Sequence, residues 1–96
     1  MYGTVARIRI KAGKEQELAR LSREQVAGIP GFVFEHLYSL DRDAQDYYLV
    51  VAFESKDAYR ANAESPEQHA RYEQYRALLE DEPRWHDGEI VSSFPE

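Results

Sequence analysis

The chain has 96 residues, 43% of them hydrophobic and 31% charged, with 18 acidic against 12 basic side chains and a formal charge of −6. Lys and Arg are interleaved with acids rather than clustered, which excludes the basic patch that nucleic acid requires. The absence of cysteine removes disulfides, thiolate nucleophiles and thiolate metal sites, and fits a reducing compartment.

Residues 2–11 alternate, with Ala6, Ile8 and Ile10 on one side and Val5, Arg7, Arg9 and Lys11 on the other. This is the pattern of a half-buried strand. The opening residues lack the charged-then-apolar order of a signal peptide. No apolar run anywhere approaches the roughly 20 residues of a membrane span. The expectation is therefore a cytoplasmic protein with no membrane or nucleic-acid partner. Its 96 residues are too few to divide between two cores, so a single domain over 1–96 is expected.

After a break at Gly13, residues 14–27 carry Leu18, Leu21, Gln25 and Val26 at helical spacing. Gly28 suits a left-handed stop, and Pro30 forbids continuation. Residues 31–40 read as a strand with Phe32, Phe34, His36, Tyr38 and Leu40 on one face and Val33 and Leu37 on the other. The polar residues 41–46 form a hairpin turn, and the strand 47–53 that follows is apolar on both faces.

Two short helices come next. Ser55 and Ser65 read as N-caps with an acid within the next two positions, and Pro66 occupies the first helical position, where a missing N–H costs nothing. On the second of these helices His69, Tyr72, Tyr75, Arg76 and Leu79 share a face. Its mixture of imidazole, phenol and guanidinium suits the wall of a semi-polar pocket. A last strand, with a possible turn or bulge at Asp87-Gly88, covers 85–94.

The order strand, helix, strand, strand, helix pair, strand gives an α+β, ferredoxin-like βαββαβ fold with a four-stranded antiparallel sheet. Helices cover one side only, yet strands 31–40 and 47–53 are apolar on both. Each buried large apolar side chain gains roughly 1.5–3 kcal/mol over exposure, so a second copy laid sheet against sheet is the expected cover.

The chain resembles the antibiotic-biosynthesis-monooxygenase-like proteins of the dimeric α/β-barrel superfamily. The resemblance runs through Val5–Lys14, Ile29-Pro30-Gly31-Phe32, Val51–Tyr59 and Ser65–His69. It implies a homodimer and an oxidoreductase of monooxygenase type that needs no cofactor and acts on a small phenol, quinol or polyketide-like aromatic. His69 would be the base or proton relay, its ordinary pKa lying near working pH. Tyr59, Tyr72 and Trp85 would supply aromatic walls, and Asn62 or Arg76 an oxygen-facing donor. The plainer readings are a His bonded to a neighbouring Tyr, core or rim tyrosines, an Arg76 surface ion pair and an Asn62 turn cap.

The haem-degrading branch of the superfamily implies an alternative. Tyr59 and His69 match its Trp-to-His spacing of ten, which makes His69 a candidate axial ligand, but Tyr stands in place of Trp and Ala6 in place of the strand Asn. A third possibility is a dimeric domain that binds a small ligand without transforming it. His86, Asp87 and Glu89 make no metal site, because neighbours on a strand point to opposite faces.

Overall fold

The computed structural model describes residues 1–95. Seven elements follow in order: β1 (Tyr2–Arg9), α1 (Glu15–Val26), β2 (Phe32–Ser39), β3 (Asp46–Phe53), α2 (Lys56–Ala63), α3 (Pro66–Arg76) and β4 (Arg84–Glu89). The strands form an antiparallel sheet in the order β2-β3-β1-β4. This is the ferredoxin-like arrangement expected from the element order, with the first and third strands central.

The alternation in β1 decides which side of the sheet is covered. Ala6, Ile8 and Ile10 are fully or almost fully buried, and they pack with Leu49 and Tyr47 of β3, Leu18 of α1, Tyr75 of α3 and Leu79 just beyond it. Both helix caps form as their sequences direct. Ser55 Oγ accepts from the Ala58 N–H and Ser65 Oγ from the Gln68 N–H, each at 3.1 Å. Gly31, with φ +78°, faces Ala58 so closely that an added Cβ would lie 2.6 Å from the Ala58 Cβ. That approach seats α2 against the start of β2.

Two expectations about the strands need correction. The sequence places Phe32 and Phe34 on one face, but the β2–β3 register shifts between them. The extra residue at Val33 puts Phe32, Glu35 and Leu37 beneath the helices and leaves Phe34, His36 and Tyr38 on the open face. The final strand ends at Glu89 rather than 94 and runs through Asp87-Gly88 without a turn, because Gly88 pairs opposite Gly3 in the β1 ladder.

At the sheet end remote from α2, Arg9 bonds Asp43 at 3.0 Å and Glu80 at 2.7 Å, while Arg7 bonds Asp46 at 3.0 Å. Hydrogen bonds from the Gln45 N–H and from Arg9 hold the Asp43 carboxyl below its usual range. These ties fasten the β2–β3 turn and the segment after α3 to β1. Among the described residues, no helix is long and apolar enough to cross a membrane.

Candidate functional site

Between the helices and the upper half of the sheet lies a cavity of about 430 Å³. The middle of its floor is one cross-strand row. Thr4 of β1 pairs with Val51 of β3 on one side and Asp87 of β4 on the other, and Val51 pairs with Glu35 of β2. All four residues line the cavity. The next row toward the core, formed by Leu37, Leu49, Ala6 and Trp85, is apolar.

The walls are aromatic. Tyr59 meets Phe53 edge to face at 5.6 Å and Tyr2 at 5.3 Å, and Tyr72 lies 6.3 Å from Trp85 with the rings tilted by 53°. Such rings give a flat ligand apolar area while their polar edges orient it. The Tyr59 hydroxyl donates to Asp87 Oδ1 at 2.9 Å. Burial, reinforced by that carboxylate, raises the Tyr59 pKa well above the ordinary phenol value, so Tyr59 keeps its proton at neutral pH.

The helices carry two polar groupings. Where α2 meets α3, Arg71 Nη2 donates to Asn62 Oδ1 at 2.9 Å and Arg71 Nε to Gln68 Oε1 at 3.1 Å. Gln25 of α1 donates to the Arg71 carbonyl at 3.1 Å. Among the described residues Arg71 forms no ion pair, so its charge is directed by amides alone. His69 lies one turn after the Ser65 cap, exposed at the edge of the cavity.

At the β2 side, Ser22 Oγ of α1 donates to Glu35 Oε1 at 3.4 Å. Burial is the larger influence on Glu35 and pushes its carboxyl above the ordinary value, with the Ser22 bond partly opposing it. Tyr75 is 7% exposed and Thr4 5%; among the described residues neither hydroxyl makes a well-formed hydrogen bond, but the Ser22 hydroxyl lies close enough to Tyr75, and Thr4 to Tyr59, to oppose in part the effect of burial on each phenol.

The structure thus brings five of the six sequence-derived candidates to one cavity: Tyr59, Asn62, His69, Tyr72 and Trp85 all line it. Arg76 is not among the lining residues. Its Nη1 donates to the Leu79 carbonyl at 3.0 Å and closes the end of α3, so it is no oxygen-facing donor in this arrangement. The cation at the cavity is Arg71, which stands two residues from His69 and therefore off the stripe that spacing suggested.

Glu35 and Asp87 were also missed. Each left a trace: Glu35 is a charge on the same strand face as Leu37, and Asp87 shares Trp85's face by alternation. Ala6, at the position where a haem-degrading relative would carry Asn, is wholly buried in the core and offers the cavity no polar group. No grouping of three His, Cys, Asp or Glu among the described residues could hold a metal ion.

The sequence profile of the antibiotic biosynthesis monooxygenase family matches residues 1–81. Among solved structures, SnoaB from Streptomyces nogalater, a cofactor-independent oxygenase, superposes with a TM-score of 0.80 at 20% identity, covering 99% of this chain and 97% of that one. A point variant of SnoaB gives 0.82 at 19%, with the same coverage. A conserved protein from Methanosarcina mazei Go1 gives 0.75 at 13%, covering 91% of this chain and 89% of the other. At these identities the likeness establishes the shared fold. No functionally curated protein sequence matches the chain.

Proposed function

The chain belongs to the antibiotic biosynthesis monooxygenase family, and from that premise we propose a cofactor-independent monooxygenase acting on a small aromatic phenol. The observation that carries this reading is the aromatic-walled cavity with a single imidazole, His69, at its edge. The description of SnoaB as a cofactor-independent oxygenase supports the same chemistry.

His69 removes the phenol proton, which turns the ring into an electron-rich phenolate. Stepwise electron transfer to O2 and recombination at the para carbon form a C–O bond and give a peroxide, which the imidazolium protonates. Loss of the remaining proton from that carbon breaks the O–O bond and leaves a quinone carbonyl. The departing hydroxide takes the proton and becomes water. One O2 is consumed per phenol, one of its atoms entering the product, and all four electrons come from the substrate. Tyr72 and Trp85 hold the ring, Tyr59 is the protonated donor held by Asp87, and Arg71, placed by Asn62 and Gln68, stabilises the phenolate oxygen.

The protein works as one domain and as a cytoplasmic homodimer. On the uncovered side of the sheet, Val5 is 43% and Tyr38 61% exposed in the single chain. A partner's sheet covers this face.

Oxygen uptake and product mass over a panel of monocyclic and fused phenols test the reading. The expected product has gained one oxygen and lost two hydrogens, and His69→Ala lowers kcat by about a hundredfold or more. No turnover with any phenol, or turnover unchanged in His69→Ala, overturns it.

A further inference from the structure

The oxidation leaves its last proton transfer to no side chain. The hydrogen on the oxygenated carbon must depart as the O–O bond breaks, and the leaving oxygen must gain a proton. His69 stands at the cavity edge and has by then given its proton to the peroxide. The other titratable groups around the cavity are Tyr59, Tyr72, Tyr75, Arg71, Asp87 and Glu35. Burial raises the pKa of all three phenols above the ordinary value, and a guanidinium does not give up its proton in a protein. Asp87 is engaged by the Tyr59 hydroxyl at 2.9 Å. Glu35 is left.

Its surroundings are neutral. The register shift in β2 turns Glu35 beneath the helices, opposite Val51 of β3 and against Ser22 of α1, whose Oγ donates to Oε1 at 3.4 Å. Tyr75 of α3 flanks the same Ser22 hydroxyl. Among the described residues no cation pairs with Glu35, and Oε2 makes no hydrogen bond. α1 and β3 present only uncharged groups to the cavity, among them Ser22, Gln25 and Val51. Inward charges on edge strands can serve merely to prevent unwanted pairing. Such a guard works as a charge, however, and burial without a cation favours the neutral carboxyl. A glutamine would keep the Ser22 contact without the desolvation cost, so the acid is explained by what its proton can do.

We propose that Glu35 is the acid–base group of the final step, giving its proton to the departing oxygen and receiving the one released from the oxygenated carbon. The O–O electron pair leaves with the outer oxygen, which takes the Glu35 proton and departs as water. The C–H electron pair becomes the second bond of the quinone carbonyl. The Glu35 carboxylate takes the released proton and returns to its starting form, and no oxidant is consumed beyond the O2 already in the peroxide. Burial suits the group to this task by holding its proton to higher pH than an exposed carboxyl would, with the Ser22 bond partly opposing. The inference rests on the oxygenase reading of the cavity and adds the group that controls collapse of the peroxide.

Steady-state oxygen uptake and rapid-quench mass spectrometry test it, on the fastest phenol of the uptake panel, 1-naphthol included. Glu35→Gln is expected to lower kcat about a hundredfold with KM within about twofold. Quenched samples of the variant should hold a substrate adduct that has gained two oxygen atoms, where the wild type shows the quinone. Because the protonated carboxyl is the active form, wild-type kcat is expected to fall as pH rises through the Glu35 pKa, and Glu35→Gln to lack that falling limb. Ser22→Ala removes the bond that opposes burial, so its limb should move to higher pH. A Glu35→Gln kcat within about threefold of wild type, or a falling limb that persists in it, overturns the assignment and leaves His69 as the base. If Glu35→Gln does not fold, Ser22→Ala decides, and an unmoved limb overturns the assignment. A wild type that turns over no phenol overturns the oxygenase reading itself.

Discussion

At the scale of single residues, the buried hydroxyls have consequences that do not depend on finding the substrate. Tyr75 OH is enclosed at 7% residue exposure without a well-formed hydrogen bond among the described residues, and burial, opposed in part by the Ser22 hydroxyl, drives its pKa far above the ordinary phenol value. Replacing it with Phe removes a desolvated polar atom and keeps the ring. Urea unfolding of Tyr75→Phe is therefore expected to show a gain of about 1 kcal/mol, and a loss of that size would mean the hydroxyl has a partner after all. Glu35 gives a pH test. Its folded-state pKa lies above the ordinary value of 4.5 because burial disfavours the charged form. Between those two values the native state binds more protons than the unfolded chain, so stability falls as pH rises through that window. In Glu35→Gln that decline is expected to be absent: the variant gains on the wild type between pH 4 and pH 8 in denaturant titrations. Parallel stability curves over that range would remove the case for a desolvated carboxyl. His69 carries the proposed chemistry but, being exposed, contributes nothing comparable to folding.

At the scale of elements, the sequence made the helix starts plain because their signals are local. Ser55, Ser65 and Pro66 act within one turn, and no distant contact has to be known to read them. Ser65→Ala is expected to cost about 1 kcal/mol in thermal or urea unfolding. The β2 face was misread for the opposite reason. A bulge is a property of two strands in register, and nothing in the run Phe32-Val33-Phe34 announces that β3 will oppose it with one residue fewer. That single shift decides that Glu35 joins Val51 and Thr4 on the cavity floor. Arg76 was misjudged likewise: its position on the helical stripe was visible, but not that α3 would end there and need its guanidinium on the Leu79 carbonyl. Gly31 ties these elements together. An alanine there meets both a left-handed backbone and the Ala58 Cβ, so Gly31→Ala is expected to lower stability by about 2–4 kcal/mol. A change below about 1 kcal/mol would show that α2 can lift from β2 cheaply.

At the scale of the whole molecule, the helices answer only half of the sheet's apolar surface. The covered face closes over Ile8, Ile10, Leu18 and Leu79, all within 2% of complete burial. Across the sheet, Val5, Tyr48, Val50, Phe34 and Tyr38 occupy neighbouring strands with no helix above them. The segment after β4 also carries Val91 and Phe94, 91% and 97% exposed in the single chain. A patch of this extent on three strands exceeds what monomers ordinarily leave wet. A second copy brought against it by a twofold axis would be self-complementary, each partner contributing the same apolar residues. Val50 lies on a central strand of this face, so Val50→Asp would put a desolvated charge into such an interface while leaving the helix-side core untouched. Sedimentation velocity at micromolar concentration is expected to give a wild-type mass of twice the 11.2 kDa subunit and a Val50→Asp species at the subunit mass with the same far-ultraviolet dichroism. A wild-type protein that sediments as a single subunit would mean the apolar open face is tolerated in water.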